Sequence, residues 1–364
     1  MLVFKPSPLS SSGIGANLLT FLKPKMRLTL VRILFLTCPL LLYGCRELKS
    51  ADAEKSPVDK CLGGLHKLPE VAALAKARNR SNGEGSEHGL AGMQIALTIN
   101  GMIRGQSDPE EEIDSWCVSE NTRENFHKIL EALKRNDMPP TVDFVTGRRI
   151  DEALLVDWLK SGNLLGNMTF HRVKARKRTA QEFIKDIQLN DQALSKLWAK
   201  FPPKQKYFRY PRLKLSRESA NRESIWAYLK QAGYVEVPAT IDARDRKFNE
   251  VYCGAQSRGD DACVNLIRAQ FKSLLLSTFL NARSSAKSRA GYDVKHILMI
   301  GANQFTCDSL GEILSYFKSL GVLFIPLEDA LKDPLYSIVD DKGKAAGRGI
   351  IRDTRKAQVA GSPK

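Results

Sequence analysis

Pro140-Thr141-Val142-Asp143-Phe144-Val145-Thr146-Gly147 is a short run of β-branched and aromatic residues bracketed by proline and glycine. It reads as a buried strand over Val142–Thr146. Just before it, Met138-Pro139-Pro140 ends a helix. Asn121-x-x-Glu124 is that helix's capping box, and Phe126, Ile129, Leu130 and Leu133 recur at i, i+3, i+4 and i+7 on one face. Just after it, Ile150–Leu159 is helical, and Leu164–Leu165 begins a second strand running into Gly166-Asn167.

The alternation continues outward on both sides. Gln94–Ile99 is a strand on the amino-terminal side. On the other side come an amphipathic helix over Ala180–Lys200, a strand over Lys206–Tyr210, a helix over Glu223–Gln231 and a strand over Val235–Ile241. Val264–Leu280 is helical, His296–Ile300 a strand, Leu310–Leu320 a helix and Val322–Ile325 the last strand. Strict alternation predicts an α/β fold with parallel strands and crossover helices. Seven strands with no Gly-x-Gly-x-x-Gly after the first one predict a barrel rather than an open nucleotide-binding sheet.

The 364 residues are 43% hydrophobic and 26% charged, as in a globular protein, but the net charge is +16. Such a balance favours polyanions: nucleic acid, acidic lipid headgroups or acidic cell-wall polymer. The amino terminus chooses among them. Basic residues precede an apolar run over Ile33–Tyr43, which Leu42-Tyr43-Gly44-Cys45 ends. That is the layout of a secretory signal, too short for a comfortable membrane span. Leu-x-Gly-Cys resembles a bacterial lipobox, with Cys45 as the lipidated residue. A plain signal peptide with an incidental cysteine is the other reading. Either reading predicts an exported body, a membrane-anchored lipoprotein facing periplasm or cell surface in the first case, and no nucleic-acid partner.

The domain plan is a signal over 1–45, a tether over 46–90 rich in Ser, Lys, Glu, Gly and Ala, the barrel over 91–336, and a disordered basic tail over 337–364. Export permits disulfides. With Cys45 lipidated, Cys61, Cys117, Cys253, Cys263 and Cys307 remain, so at least one thiol is free or paired between chains. Cys253 and Cys263 flank a polar loop, and a bridge between them is the expected pairing.

In a β/α barrel the reacting groups lie at the carboxyl ends of the strands. There an ordered set of blocks resembles the polysaccharide deacetylase family (NodB homology, carbohydrate esterase family 4). Ala96-Leu97-Thr98-Ile99-Asn100-Gly101 resembles its Thr-(aliphatic)-Asp-Asp opening, and the run quoted first is similar to its Pro-Ala-Thr-Phe-Phe-Val-x-Gly strand. Gly166-Asn167-Met168-Thr169 resembles Gly-Asn-His-Thr, and Phe208-Arg209-Tyr210-Pro211 resembles Phe-Arg-Phe-Pro. Thr240-Ile241-Asp242-x-x-Asp245-x-x-Phe248-Asn249, His296-Ile297-Leu298-Met299-Ile300-Gly301-Ala302-Asn303 and Leu327-Glu328-Asp329-Ala330-Leu331 resemble the later blocks. The resemblance implies a distorted (β/α)7 barrel. In working members, it implies a zinc held by one Asp and two His, an Asp base and a His general acid.

The resemblance places the base at Asn100, the metal Asp at Gly101, the two metal His at Met168 and Arg172, and the general acid at Gly301. None is the required type. Asn cannot take a proton, Gly offers no ligand, and a thioether suits zinc poorly. His171 could slip into a ligand position. Arg209, Asp242 and Asp245 match the family's supporting residues, with Arg209 expected to hydrogen-bond Asp242 or Asp245. Asp143 stands where the family has Phe; it faces either a cleft or an arginine such as Arg172 or Arg209, or else solvent. The aromatics Phe170, Tyr210 and Phe248 near the mouth offer stacking surfaces for a sugar, or core packing. His66, His88, His127 and His296 read as surface or capping residues.

The expectation is a pseudoenzyme without a cofactor, binding cell-wall glycan or an envelope protein. The alternative is an active, zinc-dependent hydrolase removing acetyl groups from amino sugars.

Overall fold

A computed structural model describes Cys61 and residues 87–102, 122–213 and 218–337. The signal and Cys45, most of the 46–90 tether, Cys117 and the tail from residue 338 lie outside the described residues.

Eight strands form one all-parallel sheet: β1 (Gln94–Asn100), β2 (Val142–Val145), β3 (Leu164–Asn167), β4 (Lys206–Phe208), β5 (Tyr234–Glu236), β6 (Ile241–Asp242), β7 (His296–Gly301) and β8 (Leu323–Phe324). Their order is β5-β4-β3-β2-β1-β7-β6, with β8 on β1. β7 takes one edge of β1, and β8 and β2 share the other, β8 at Gln94–Ile95 and β2 at Thr98–Asn100. The result is a curled, distorted (β/α)7 barrel, as the alternation predicts.

The helices are α1 (Thr122–Arg135), α2 (Glu152–Lys160), α3 (Ala180–Lys200), α4 (Ser219–Gln231), α5 (Asp245–Ser257), α6 (Asp261–Ala290), α7 (Gln304–Ser319), α8 (Leu327–Leu331) and α9 (Pro334–Ser337). Alternation of side chains along each strand separates two apolar layers. Ile95, Leu97 and Ile99 of β1 pack outward with the helices, together with Phe126, Trp158, Phe279 and Phe317. Ala96, Val142, Phe144, Met168, Tyr207 and Ile297 fill the interior. Among the described residues no helix is long and apolar enough to cross a membrane.

Several expectations change. The single strand over Val235–Ile241 is two, because Val237–Thr240 carries the chain from one edge of the sheet to the other. Val237 N donates to Phe208 O of β4 (2.7 Å) and Thr240 N to Ile297 O of β7 (3.0 Å). Pro238 between them has no N–H to add to a ladder. This four-residue seam closes the barrel where β5 and β6 do not pair. Residues 245–257, to which the sequence pattern assigned no element, form α5. His296 is not a surface residue: it is fully buried, Nδ1 lies 3.2 Å from Thr240 Oγ1, and burial pushes its imidazole down to about 4.

The Cys253–Cys263 bridge does not form. Most of the residues between them are helical, α5 running to Ser257 and α6 starting at Asp261, so the two cysteines sit on separate helices. Cys263 is bonded to Cys61, 202 residues earlier, with a Cα–Cα distance of 5.7 Å. Cys253 is also disulfide-bonded, to a partner that is neither Cys263 nor the free, buried Cys307. Within the expected tether, Cys61 and Leu90 are buried and pack into the outer core.

Candidate functional site at the barrel mouth

β1 and β7 run in register from Ile95↔His296 to Asn100↔Gly301, so Asn100 and Gly301 emerge side by side at the mouth. Asn100 is also the partner of Phe144 in β2, and Phe144 shares the interior cluster with Met168. The base, general-acid and one ligand position implied by the resemblance are thus brought together. Gly101 follows at once, with φ +68°, a left-handed conformation that favours glycine. Its N–H donates to Phe144 O at 3.0 Å. Arg172 stands in the loop after β3, half-buried, also left-handed with φ 57°.

Arg209 lies beneath this group, fully buried. Nη1 donates to Thr98 Oγ1 and to Asn100 Oδ1, both at 2.9 Å. Nε donates to Val237 O (3.3 Å) and Nη2 to Pro238 O (3.5 Å), so the guanidinium joins β1 to the seam. Its Cζ sits 4.0 Å from the centroid of the Phe144 ring, a cation–π contact. Burial pushes the guanidinium down to about 9, while the charges of Asp242 and Asp143 pull the other way. The expected hydrogen bond to Asp242 or Asp245 is not made, because the fork is already filled by Asn100, Thr98 and the seam carbonyls. Thr98, which the sequence reading quoted in the opening block but gave no role, completes the chain by donating to Leu298 O at 2.7 Å.

Asp245 turns instead to the end of β7. Its Oδ2 accepts from Gly301 N (3.0 Å), Thr306 Oγ1 (3.0 Å) and Asn303 Nδ2. Burial pushes this carboxyl up to about 6; the Gly301 bond opposes that and the Asp242 charge adds to it. A Cβ on Gly301 would meet Asp245 Oδ2 at 2.8 Å, so Asp245 fills space that a side chain at 301 would need. Asp242, half-buried, accepts from Arg244 N at 3.1 Å.

Asp143 faces neither a cleft nor solvent. It points outward from β2, paired in register with Ile99, and is fully buried. Its oxygens accept from Met102 N at 3.2 and 3.3 Å, which pins the turn leaving β1. Burial pushes the carboxyl up to about 7; the Met102 bond and the Arg209 charge act against that. His171 is likewise committed elsewhere. Its Nδ1 lies 2.6 Å from Asp186 Oδ1 on α3, and its N–H also reaches that carboxylate.

Of the three aromatics, Tyr210 and Phe248 are core residues. Tyr210 stacks on Phe183, and Phe248 packs on Phe271 and Phe305. Phe170 is half-buried against the His171 ring.

The donor set does not fit the zinc that the resemblance implies for working members. Gly101 has no side chain, Met168 is packed in an apolar cluster, and Arg172 is a cation. Among the described residues no three or more His, Cys, Asp or Glu side chains form a group that could hold a metal ion.

Fold and site together define a class: a parallel α/β barrel with a buried arginine supporting a neutral asparagine at its mouth. Residues 114–237 match the polysaccharide deacetylase family model. Among solved structures, a CE4 family pseudoenzyme from Bacillus anthracis is similar at 15% identity and TM-score 0.43, covering 66% of each chain. The peptidoglycan deacetylase PdaC from Bacillus subtilis is similar at 14% identity and TM-score 0.41, over 73% of this chain and 94% of that one. The chitin deacetylase from Colletotrichum lindemuthianum is similar at 16% identity and TM-score 0.44, over 67% and 90%. No curated protein matches the sequence.

Proposed function

We propose that this protein is an exported, lipid-anchored member of the cell envelope whose deacetylase-like barrel binds cell-wall glycan, or an envelope protein, without catalysing deacetylation. The observation that carries this reading is the Arg209–Asn100 hydrogen bond. It holds a neutral amide where a deacetylase needs a carboxylate base, beside Gly101 and Gly301, which offer no ligand and no acid. Amide hydrolysis needs an activated water and a proton for the leaving amine, and none of these residues supplies either. Export is supported by the signal-like amino terminus and by the Cys61–Cys263 bridge, since disulfides persist in oxidising compartments. Cys45 is the lipidated residue in this reading, and no cofactor is required.

The test pairs two measurements on the purified full-length protein. Sedimentation with isolated peptidoglycan is expected to carry the protein into the pellet. Amine release from acetylated peptidoglycan fragments is expected to stay at background with zinc added. Zinc bound at one equivalent, with chelator-sensitive amine release, would establish the hydrolase instead.

A further inference from the structure

The loop after β3 reads His171-Arg172-Val173-Lys174-Ala175-Arg176-Lys177-Arg178: five cations in eight residues and no acid. It leaves the carboxyl end of its strand, so it borders the same mouth as Asn100 and Met168. We infer that this loop is a subsite for a carboxylate-bearing glycan, an anionic polymer rather than a neutral acetylated one. The inference rests on the glycan-binding reading above and names the class of glycan.

The loop is held rather than loose. His171 is tied to Asp186 at one end. Ala175, fully buried, packs with Phe183, Phe208 and Tyr210, and Val173 packs against the same cluster. At the other end Thr179 and Glu182 form a reciprocal capping box that starts α3. With the apolar residues turned in, Arg176, Lys177 and Arg178 are displayed to solvent on a short 3-10 turn over Ala175–Lys177. Ordering the cations before a ligand arrives reduces the entropy lost on binding. The two acids nearest in sequence, Asp186 and Glu182, are both engaged in holding the loop.

Neighbouring loops contribute the same residue type. Arg172 after β3, Arg212 after β4 and Arg244 after β6 all have positive φ, 57°, 56° and 55°. Backbone held in this uncommon region is strained and clusters at functional sites. Arginine outnumbers lysine among these cations, and its planar fork matches a carboxylate in a way that a lysine ammonium does not. The segment 103–121, between β1 and α1 in the sequence, is rich in acids. The decisive readout is therefore a contrast between variants rather than net charge.

Calorimetric titration of the full-length protein in neutral detergent tests the inference with oligogalacturonate, a neutral chitin oligomer and soluble short-chain phosphatidylglycerol. The variant R176Q/K177Q/R178Q is compared with K134Q/K160Q/K200Q, which removes three cations from the last turns of α1, α2 and α3 at the opposite face. Oligogalacturonate is expected to bind, to weaken about tenfold or more in the loop variant, and to change less than about twofold in the control. Its affinity should also fall as salt rises. Equal effects of the two triple variants would overturn the inference. So would phosphatidylglycerol binding as tightly as oligogalacturonate with the same dependence on the loop. Binding of the chitin oligomer alone would remove this inference and leave the glycan-binding reading standing. Binding of neither glycan would remove both.

Discussion

Arg209 Nη1 donates to Asn100 Oδ1 at 2.9 Å across 109 residues of chain, and the other arms of the same guanidinium hold the seam carbonyls of Val237 and Pro238. A buried cation is costly unless its donors are filled. Here neutral acceptors and the Phe144 ring fill them, so the guanidinium acts as a structural clamp between β1 and the seam.

Arg209→Met leaves the Asn100 oxygen and two seam carbonyls buried without their donor. The variant should lose roughly 2–4 kcal/mol of stability, read from urea unfolding. Arg209→Lys cannot reproduce the fork and should lose more than half of that. A loss under about 1 kcal/mol for Arg209→Met would show that the clamp does not hold the barrel.

Asp143 gives a pH dependence with a definite sign. Its folded carboxyl sits near 7, above the value of 3.8 taken for the free group, so the folded state binds more protons between about pH 4 and 7. Its contribution is therefore fully present below pH 4 and lost as pH rises through 7. Asp245, near 6, acts in the same direction. Asp143→Asn keeps an oxygen for Met102 N–H and removes the titration. The stability of D143N relative to the parent should increase by roughly 1–3 kcal/mol between pH 4 and pH 8. A difference that stays flat over that range would contradict the assignment.

The Cys61–Cys263 bridge ties an amino-terminal segment to the start of α6. Cys61→Ser should lower stability by about 2–4 kcal/mol, since the bridge closes a very long loop. Peptide mapping under non-reducing conditions should recover the 61–263 pair, and Cys253→Ser should leave that pair intact. Recovery of a 253–263 peptide would restore the local pairing expected from sequence.

Placing a histidine at position 301 should not be tolerated alone. Its Cβ would press on Asp245 Oδ2, and Asp245 is held by Gly301 N, Asn303 and Thr306. Gly301→His should cost about 1–3 kcal/mol, as overpacking does. The added cost should shrink in an Asp245→Ala background, a coupling that a double-mutant cycle measures. Additive effects would mean that the two positions do not compete for space.

Much of the barrel was legible because its signals are local. Phe126, Ile129, Leu130 and Leu133 mark one face of α1, and α3 runs over Ala180–Lys200 as its pattern requires. The ordered blocks also pointed to Asn100 and Gly301, which the register of β1 and β7 sets side by side. The split at Pro238 was visible only as a proline inside an apolar run, and α5 was hidden in a charged stretch whose buried face, Phe248 and Tyr252, is short.

The sequence by itself determined the order of strands and helices, the β5–β6 split and α5 excepted, and the residue types at the mouth, because periodicity and residue chemistry are properties of neighbours along the chain. Partners were decided only by the tertiary structure. Arg209 takes Asn100 and the seam instead of an aspartate, Asp245 turns to Gly301, Asp143 caps the turn at Met102, and Cys263 finds Cys61 rather than Cys253. Each of these choices depends on how a curled sheet closes and on which side chain reaches a buried donor or thiol first. Closure brings together groups from 41 to 202 residues apart.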